Sequence, residues 1–421
     1  MPPPYNQVPD LTHYIAVGDS ITAGYADGAL YYKGQLHAYA NIVAGQIRLI
    51  TGTKFTQPLM PSNSVGVDLT GNSRLALRRK VDDPNVFLLG HLSPQGDLAA
   101  LHENAYATQG PFTNMGVPGA KVITTVLPGF GNSGNGAGYY NPFFTRMASN
   151  VETASILSDA AALHASFFSL FIGNNDALAY ALAGCTENAM SPCTGSAGSG
   201  FDGSLMEIVN TLTKHGAKGV IANLPSIANI PYFNTIPYNG LLLTAEEATS
   251  LNQDYRSEGI QFHEGKNNFM ISTSSMRTER RLAQKGELIL MDVLLDPKST
   301  IYLKGKEPIP KKYNLSPSEA LSIEERISEY NLVIQNLAKE KELGFVNVNH
   351  LVKSARADRE YNPHTLSLDY AKKGVFSLDG LHPNAFGQAL LANEFIKAIN
   401  MTYGTEIQPV RSHQYEGIVF P

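Results

Sequence analysis

Apolar residues along the chain follow two alternating rhythms. Short unbroken runs at residues 14–17 (YIAV), 112–117, 166–172 (SFFSLFI), 219–224 (GVIANL) and 344–348 (GFVNV) predict strands buried on both faces. Between them, residues 35–50, 147–164, 205–215, 244–262, 317–343 and 385–400 carry apolar positions at helical spacing. This alternation predicts an α/β core with a parallel sheet covered by helices on both sides. Two regions do not fit a single strand–helix unit. Residues 51–110 scatter Pro, Gly and Asn throughout and read as a long insertion. Residues 226–343 add strands of their own at 269–272 and 288–293. The pattern predicts one domain over 11–421 with these two insertions, preceded by an extended lead over 1–10.

Composition narrows the classes of function. Hydrophobic residues are 43% of the chain and charged residues 16%, so a large core can form. The formal net charge of −5 leaves no basic footprint, which argues against nucleic acid as a partner. No apolar run approaches the roughly 18 residues that span a bilayer, and residues 1–10 lack the regions of a signal peptide. The two cysteines, Cys185 and Cys193, lie in the turn-rich stretch GCTENAMSPCTGSAGSG. They are expected to close a disulfide, which implies an oxidising compartment. No His or second Cys pair stands near enough to complete a zinc site with them.

The candidate chemistry lies in short segments that follow predicted strands, where open α/β sheets gather their reactive groups. Ser20 stands in Gly18-Asp19-Ser20-Ile21-Thr22-Ala23-Gly24, after the first strand. Asn175 stands in Gly173-Asn174-Asn175-Asp176, after the run SFFSLFI. Asp379 and His382 stand in Asp379-Gly380-Leu381-His382-Pro383. Pro383 disfavours helix at His382, and a turn through Gly380 brings the Asp379 carboxylate within reach of the ring. A histidine oriented in this way is the base that a serine hydroxyl needs to become a nucleophile. Donors for a developing oxyanion are the Ser20 N–H, the Asn175 amide and an N–H at Gly119 in Asn114-Met115-Gly116-Val117-Pro118-Gly119-Ala120, each worth about 3–4 kcal/mol when well aimed. Asp176 reads as a residue that ties down its loop.

These blocks, in this order, resemble the SGNH hydrolases, also called the GDSL esterase/lipase family. Ser20, Gly119, Asn175 and the Asp379–His382 pair match the family's four blocks. The flanking stretches GYADGALYYKGQ and IPYFNTIPYN resemble large exported bacterial members. The resemblance implies a flavodoxin-like three-layer α/β/α sandwich, metal-independent hydrolysis without a cofactor, and an acyl-serine intermediate. It implies catalysis by Ser20, Asp379 and His382, with an oxyanion hole of Ser20, Gly119 and Asn175. The expected substrate is a small-molecule or lipid-like acyl ester. An extracytoplasmic location, in the periplasm or at the cell surface, is expected from the likeness and the cysteine pair, with lipid anchoring left open.

Competing readings remain at this level. The same mechanism serves a carbohydrate O-acetyl esterase, and the same fold serves a surface binding protein without turnover. Residues 129–134 match the dinucleotide pattern GxGxxG, yet Pro128 precedes them and no strand feeds them, so they read as a loop. His350 and His364 have no acid at triad-like spacing. The aromatic residues around 231–238 read as packing.

Overall fold

The structure is a computed structural model that describes residues 8–80, 83–94, 103–136, 138–187, 189–274, 279–357 and 374–418. Five parallel strands form the central sheet: β1 (Tyr14–Gly18), β2 (Asn114–Gly116), β3 (Phe167–Phe171), β4 (Lys218–Ala222) and β5 (Gly344–Val346). Their order across the sheet is β5-β4-β3-β1-β2. This is the flavodoxin-like order, and it reverses direction between β1 and β3. Every residue of β1 and β3 is buried, as an apolar run without alternation requires. The register sets Gly18 beside both Gly116 and Phe171, so β1, β2 and β3 end level with one another.

Helices cover both faces. Tyr39–Thr51 and Ala385–Tyr403 lie together in one layer, with the Tyr39 and Phe395 rings stacked at 4.4 Å. In the other layer, Phe201–Thr213 lies against Pro317–Glu340, and Phe201 stacks on Tyr330 at 4.0 Å. The long helix begins where its sequence dictates. Ser316 caps it in a box with Glu319, Pro317 occupies the first turn, and Ile323, Ile327, Tyr330, Ile334 and Leu337 form the buried stripe.

Several predicted elements are shorter than their periodicity suggested. The helix expected over 147–164 is confined to Ile156–Ala162. Polar side chains take the backbone donors that a longer helix would use: Asp159 accepts from the Ser149 N–H, and Asn150 Oδ1 from the Glu152 N–H. The helix expected over 244–262 is Ala245–Asp254, and Gly259 closes the following turn at a φ of 68°. The strand expected over 288–293 is only Leu288–Ile289, followed by a 3-10 turn at Met291–Leu294.

Both insertions take definite form. The first contains an antiparallel hairpin, Leu75–Lys80 against Asp83–His91. The second builds a hydrophobic core of its own around Leu241, Leu251, Phe269, Ile271 and Ile309. No described helix is long and apolar enough to cross a membrane.

Candidate active site

β1 delivers the chain to Asp19, whose carboxylate caps the short helix Ser20–Ala23 by accepting from the Ile21 N–H at 3.1 Å. Ser20 is the first residue of that helix, so its own N–H has no intrahelical acceptor. Burial pushes the Asp19 carboxyl up to about 6, against the hydrogen bond donated by Asn174 Nδ2 at 2.9 Å. That bond fastens the end of β1 to the end of β3 at the point where the sheet order reverses.

After β3, the helix Asn174–Leu182 places two more polar groups. Asn175 Nδ2 donates to the Ala120 carbonyl at 2.9 Å, which leaves its second amide hydrogen for another acceptor. Asp176 is fully buried and accepts from the Val122 N–H at 2.7 Å, tying down the segment that follows β2, as its sequence context suggested. Burial pushes its carboxyl up to about 6. In the same segment Gly119 adopts a φ of 80°, and a Cβ there would meet Leu69 Cδ1 at 2.8 Å. A side chain would be both strained and obstructed.

The remaining groups arrive from the far end of the chain. Ser20 Oγ lies 2.8 Å from His382 Nε2, and His382 Nδ1 lies 2.9 Å from Asp379 Oδ2. Gly380 makes the tight turn between acid and histidine at a φ of 67°. The Asp379 carboxylate is saturated: Oδ1 accepts from Ser377 Oγ and from the Leu381 and His382 N–H groups, and Oδ2 from the Gly28 N–H. Burial alone would raise its carboxyl, but the His382 charge and these bonds hold it at about 2.

A second carboxylate braces this loop. The Asp27 N–H donates to Ser377 Oγ at 2.8 Å, and Asp27 Oδ1 accepts from the Leu378 N–H at 2.9 Å. Tyr25 places its ring 4.7 Å from the His382 ring and donates its hydroxyl to the Gly28 carbonyl. Neither residue was singled out from sequence. Their only signal was position, in the YADG stretch directly after GDSITAG.

Ser20 and His382 form the floor of a cleft of about 1090 Å³, which Gly119, Asn175 and Asp379 also line. Leu75, Leu89 and His91 from the first insertion and Tyr232, Met291 and Asp292 from the second also line it. All the sequence-designated site residues therefore share one crevice. His350 does not. It is exposed on the helix Val348–Ala357. His364 lies outside the described residues. Residues 129–134 form a loop with a short 3-10 turn at Ser133–Asn135. The aromatic residues near 231–238 do pack in the interior, although Tyr232 also reaches the cleft wall.

A family model for GDSL-like lipases and acylhydrolases matches residues 14–395. The chain belongs to that family. This GDSL hydrolase is accordingly a carboxylic ester hydrolase with a serine nucleophile. No curated protein matches it. Among solved structures, it is similar to a protein described as a GDSL-like lipase from Parabacteroides merdae, at 13% identity over 95% of this chain and 100% of that one, with a TM-score of 0.37. It is also similar to an acetyl xylan esterase variant from Geobacillus stearothermophilus, at 12% identity over 96% of this chain and 99% of that one, with a TM-score of 0.34. At such scores neither likeness bears on the substrate.

The cysteine expectation needs correction. Cys185 and Cys193 are both free thiols. Cys185 faces Tyr180 and the Glu319 end of the long helix, and burial pushes its thiol up to about 11. Cys193 is set among Glu329, Arg326 and Asp202. The two side chains have different neighbours, so the cysteines lend no support to an oxidising compartment.

Proposed function

We propose that the hydrolase cleaves acyl esters through an acyl-enzyme on Ser20. The observation that carries this reading is the continuous line from Ser20 Oγ to His382 to Asp379, with contacts of 2.8 and 2.9 Å. Ser20 attacks the ester carbonyl carbon as His382 Nε2 takes its proton. The negative charge that develops on the carbonyl oxygen turns towards the Ser20 and Gly119 backbone N–H groups and the unspent hydrogen of the Asn175 amide. The imidazolium, stabilised by Asp379, then gives its proton to the departing alcohol. Water repeats the sequence on the acyl-serine and releases the acid. Tight hydrogen bonding keeps Asp379 ionised, so it holds the ring in the tautomer with Nδ1 protonated.

Leu69, Leu178 and Leu182 give the cleft apolar surface beyond what an acetyl group would cover, which favours longer acyl chains. Rates on p-nitrophenyl acetate, butyrate and octanoate test this, and the octanoate or butyrate is expected to exceed the acetate. Ser20→Ala is expected to abolish turnover, and with it labelling by a fluorophosphonate probe, in protein that melts like the wild type. Undiminished activity in that variant would remove Ser20 from the mechanism.

A further inference from the structure

We propose that the alcohol half of the ester is a polyol, read by Asp292 and Tyr232 on the histidine side of the cleft. The inference rests on the acyl-serine reading above. In that chemistry His382 returns its proton to the leaving oxygen, so the alcohol must lie against the imidazole and its loop, away from Gly119 and Asn175.

That flank is built by the second insertion. The Tyr232 N–H donates to the Gly380 carbonyl at 2.9 Å, and a Cβ on Gly380 would meet Met291 Sδ at 2.6 Å. Both residues therefore rest on the turn that joins Asp379 to His382. Asp292 follows Met291, and its side chain is open to the cleft whereas those of Met291 and Val293 are buried. Tyr232 is only 4% exposed, and its hydroxyl lies beside Asp292 without meeting hydrogen-bond geometry there or elsewhere among the described residues. A ligand oxygen set between Tyr232 and Asp292 would complete the hydrogen bonding of both.

Asp296 and Asp68, which also line the cleft, are already engaged. Asp296 accepts from Tyr313 Oη and the Lys298 N–H, and Asp68 accepts from Thr70 and Asn72. Asp292 can accept from two hydroxyls at once, while Tyr232 can donate to a third oxygen or accept from it. Lys312 shares this wall, its Nζ 4.6 Å from the centroid of the Tyr313 ring, and its charge reaches Asp292. A flank that carries both signs suits a neutral alcohol rich in hydroxyls better than a cationic or an anionic one.

The test compares glycerol 1-monobutyrate with propyl butyrate, which share the acyl group and the three-carbon alcohol skeleton. Wild-type kcat/KM is expected to favour the glycerol ester by on the order of 10–100-fold. Asp292→Ala and Tyr232→Phe should each cut that preference about tenfold. Asp292→Asn covers the case in which the alanine variant fails to fold, and it should show the same loss. Equal wild-type rates on the two esters would overturn the proposal, as would a preference that the variants retain. Faster turnover of butyrylcholine than of the glycerol ester would overturn it in favour of a cationic alcohol. p-Nitrophenyl butyrate separates the two levels of failure. Its turnover without a glycerol preference removes the polyol subsite alone, whereas no turnover of any ester removes the acyl-serine reading as well.

Discussion

Replacing Asp379 with Asn keeps the size of the side chain and removes only its charge and half its accepting capacity, yet the bonding around it permits no harmless orientation. If the amide oxygen faces His382, the amide NH₂ meets Ser377 Oγ and the Leu381 and His382 N–H groups, all placed to donate. The two backbone donors cannot turn away, and each unsatisfied N–H costs about 1–3 kcal/mol. If the amide is reversed, its NH₂ meets the Gly28 N–H and His382 Nδ1. The ring must then accept at Nδ1 and carry its proton on Nε2, where it can no longer take the Ser20 proton. Charge adds a further cost. A carboxyl held at about 2 instead of its ordinary 3.8 contributes about 2 kcal/mol of stability. Because the shift is downward, that contribution is complete above the ordinary value and disappears as pH falls through 2. At pH 8, Asp379→Asn should therefore melt several degrees lower and lose about 10³–10⁴ in kcat/KM on p-nitrophenyl butyrate. Thermal melts beside initial rates from pH 6 to 9 provide the check. A folded variant within tenfold of wild type at pH 8 would refute the orienting role.

Two other perturbations probe the supporting structure. Asp176→Asn preserves an acceptor for the Val122 N–H and removes a carboxyl that burial has pushed up to about 6. A raised carboxyl withdraws stability as pH climbs from its ordinary value through 6, so the variant should gain up to about 3 kcal/mol over wild type at pH 8 and nothing at pH 3.5. Equal shifts in melting temperature at the two pH values would contradict this. Gly119→Ala sets a Cβ against Leu69 Cδ1 in a left-handed backbone and should lower kcat on p-nitrophenyl butyrate about 10–100-fold. Unchanged kcat would exclude Gly119 from the oxyanion hole.

The parts of this molecule that were readable in sequence are those whose geometry is local. Asp379 and His382 are three positions apart around a glycine, so their contact follows from one turn. The strands β1 and β3 are unbroken apolar runs, and each ends in the segment that carries a reactive side chain. The sheet order and the meeting of Ser20 with His382 then follow from the family likeness. Asp27 was invisible because its partners, Ser377 and Leu378, are 350 and 351 positions away. Tyr232 and Asp292 matter through an inserted module whose placement against Gly380 no local pattern encodes. The helix over 147–164 failed for the opposite reason. Its apolar spacing was real, but Asp159 and Asn150 captured backbone donors near its start. The cysteines were close in sequence, yet Cys185 and Cys193 face different surroundings.

The hydroxyl and its base are separated by 362 positions, and the loop that carries the base is held by the YADG stretch that trails the nucleophile. A ribosome therefore releases the serine 362 positions before the imidazole that activates it. Until then the nascent polypeptide can shape most of its sheet but carries only an ordinary alcohol at position 20. Reactivity is thus deferred until His382 has been made, and a chain that stops short of Ser377 has neither the base nor the loop that holds it.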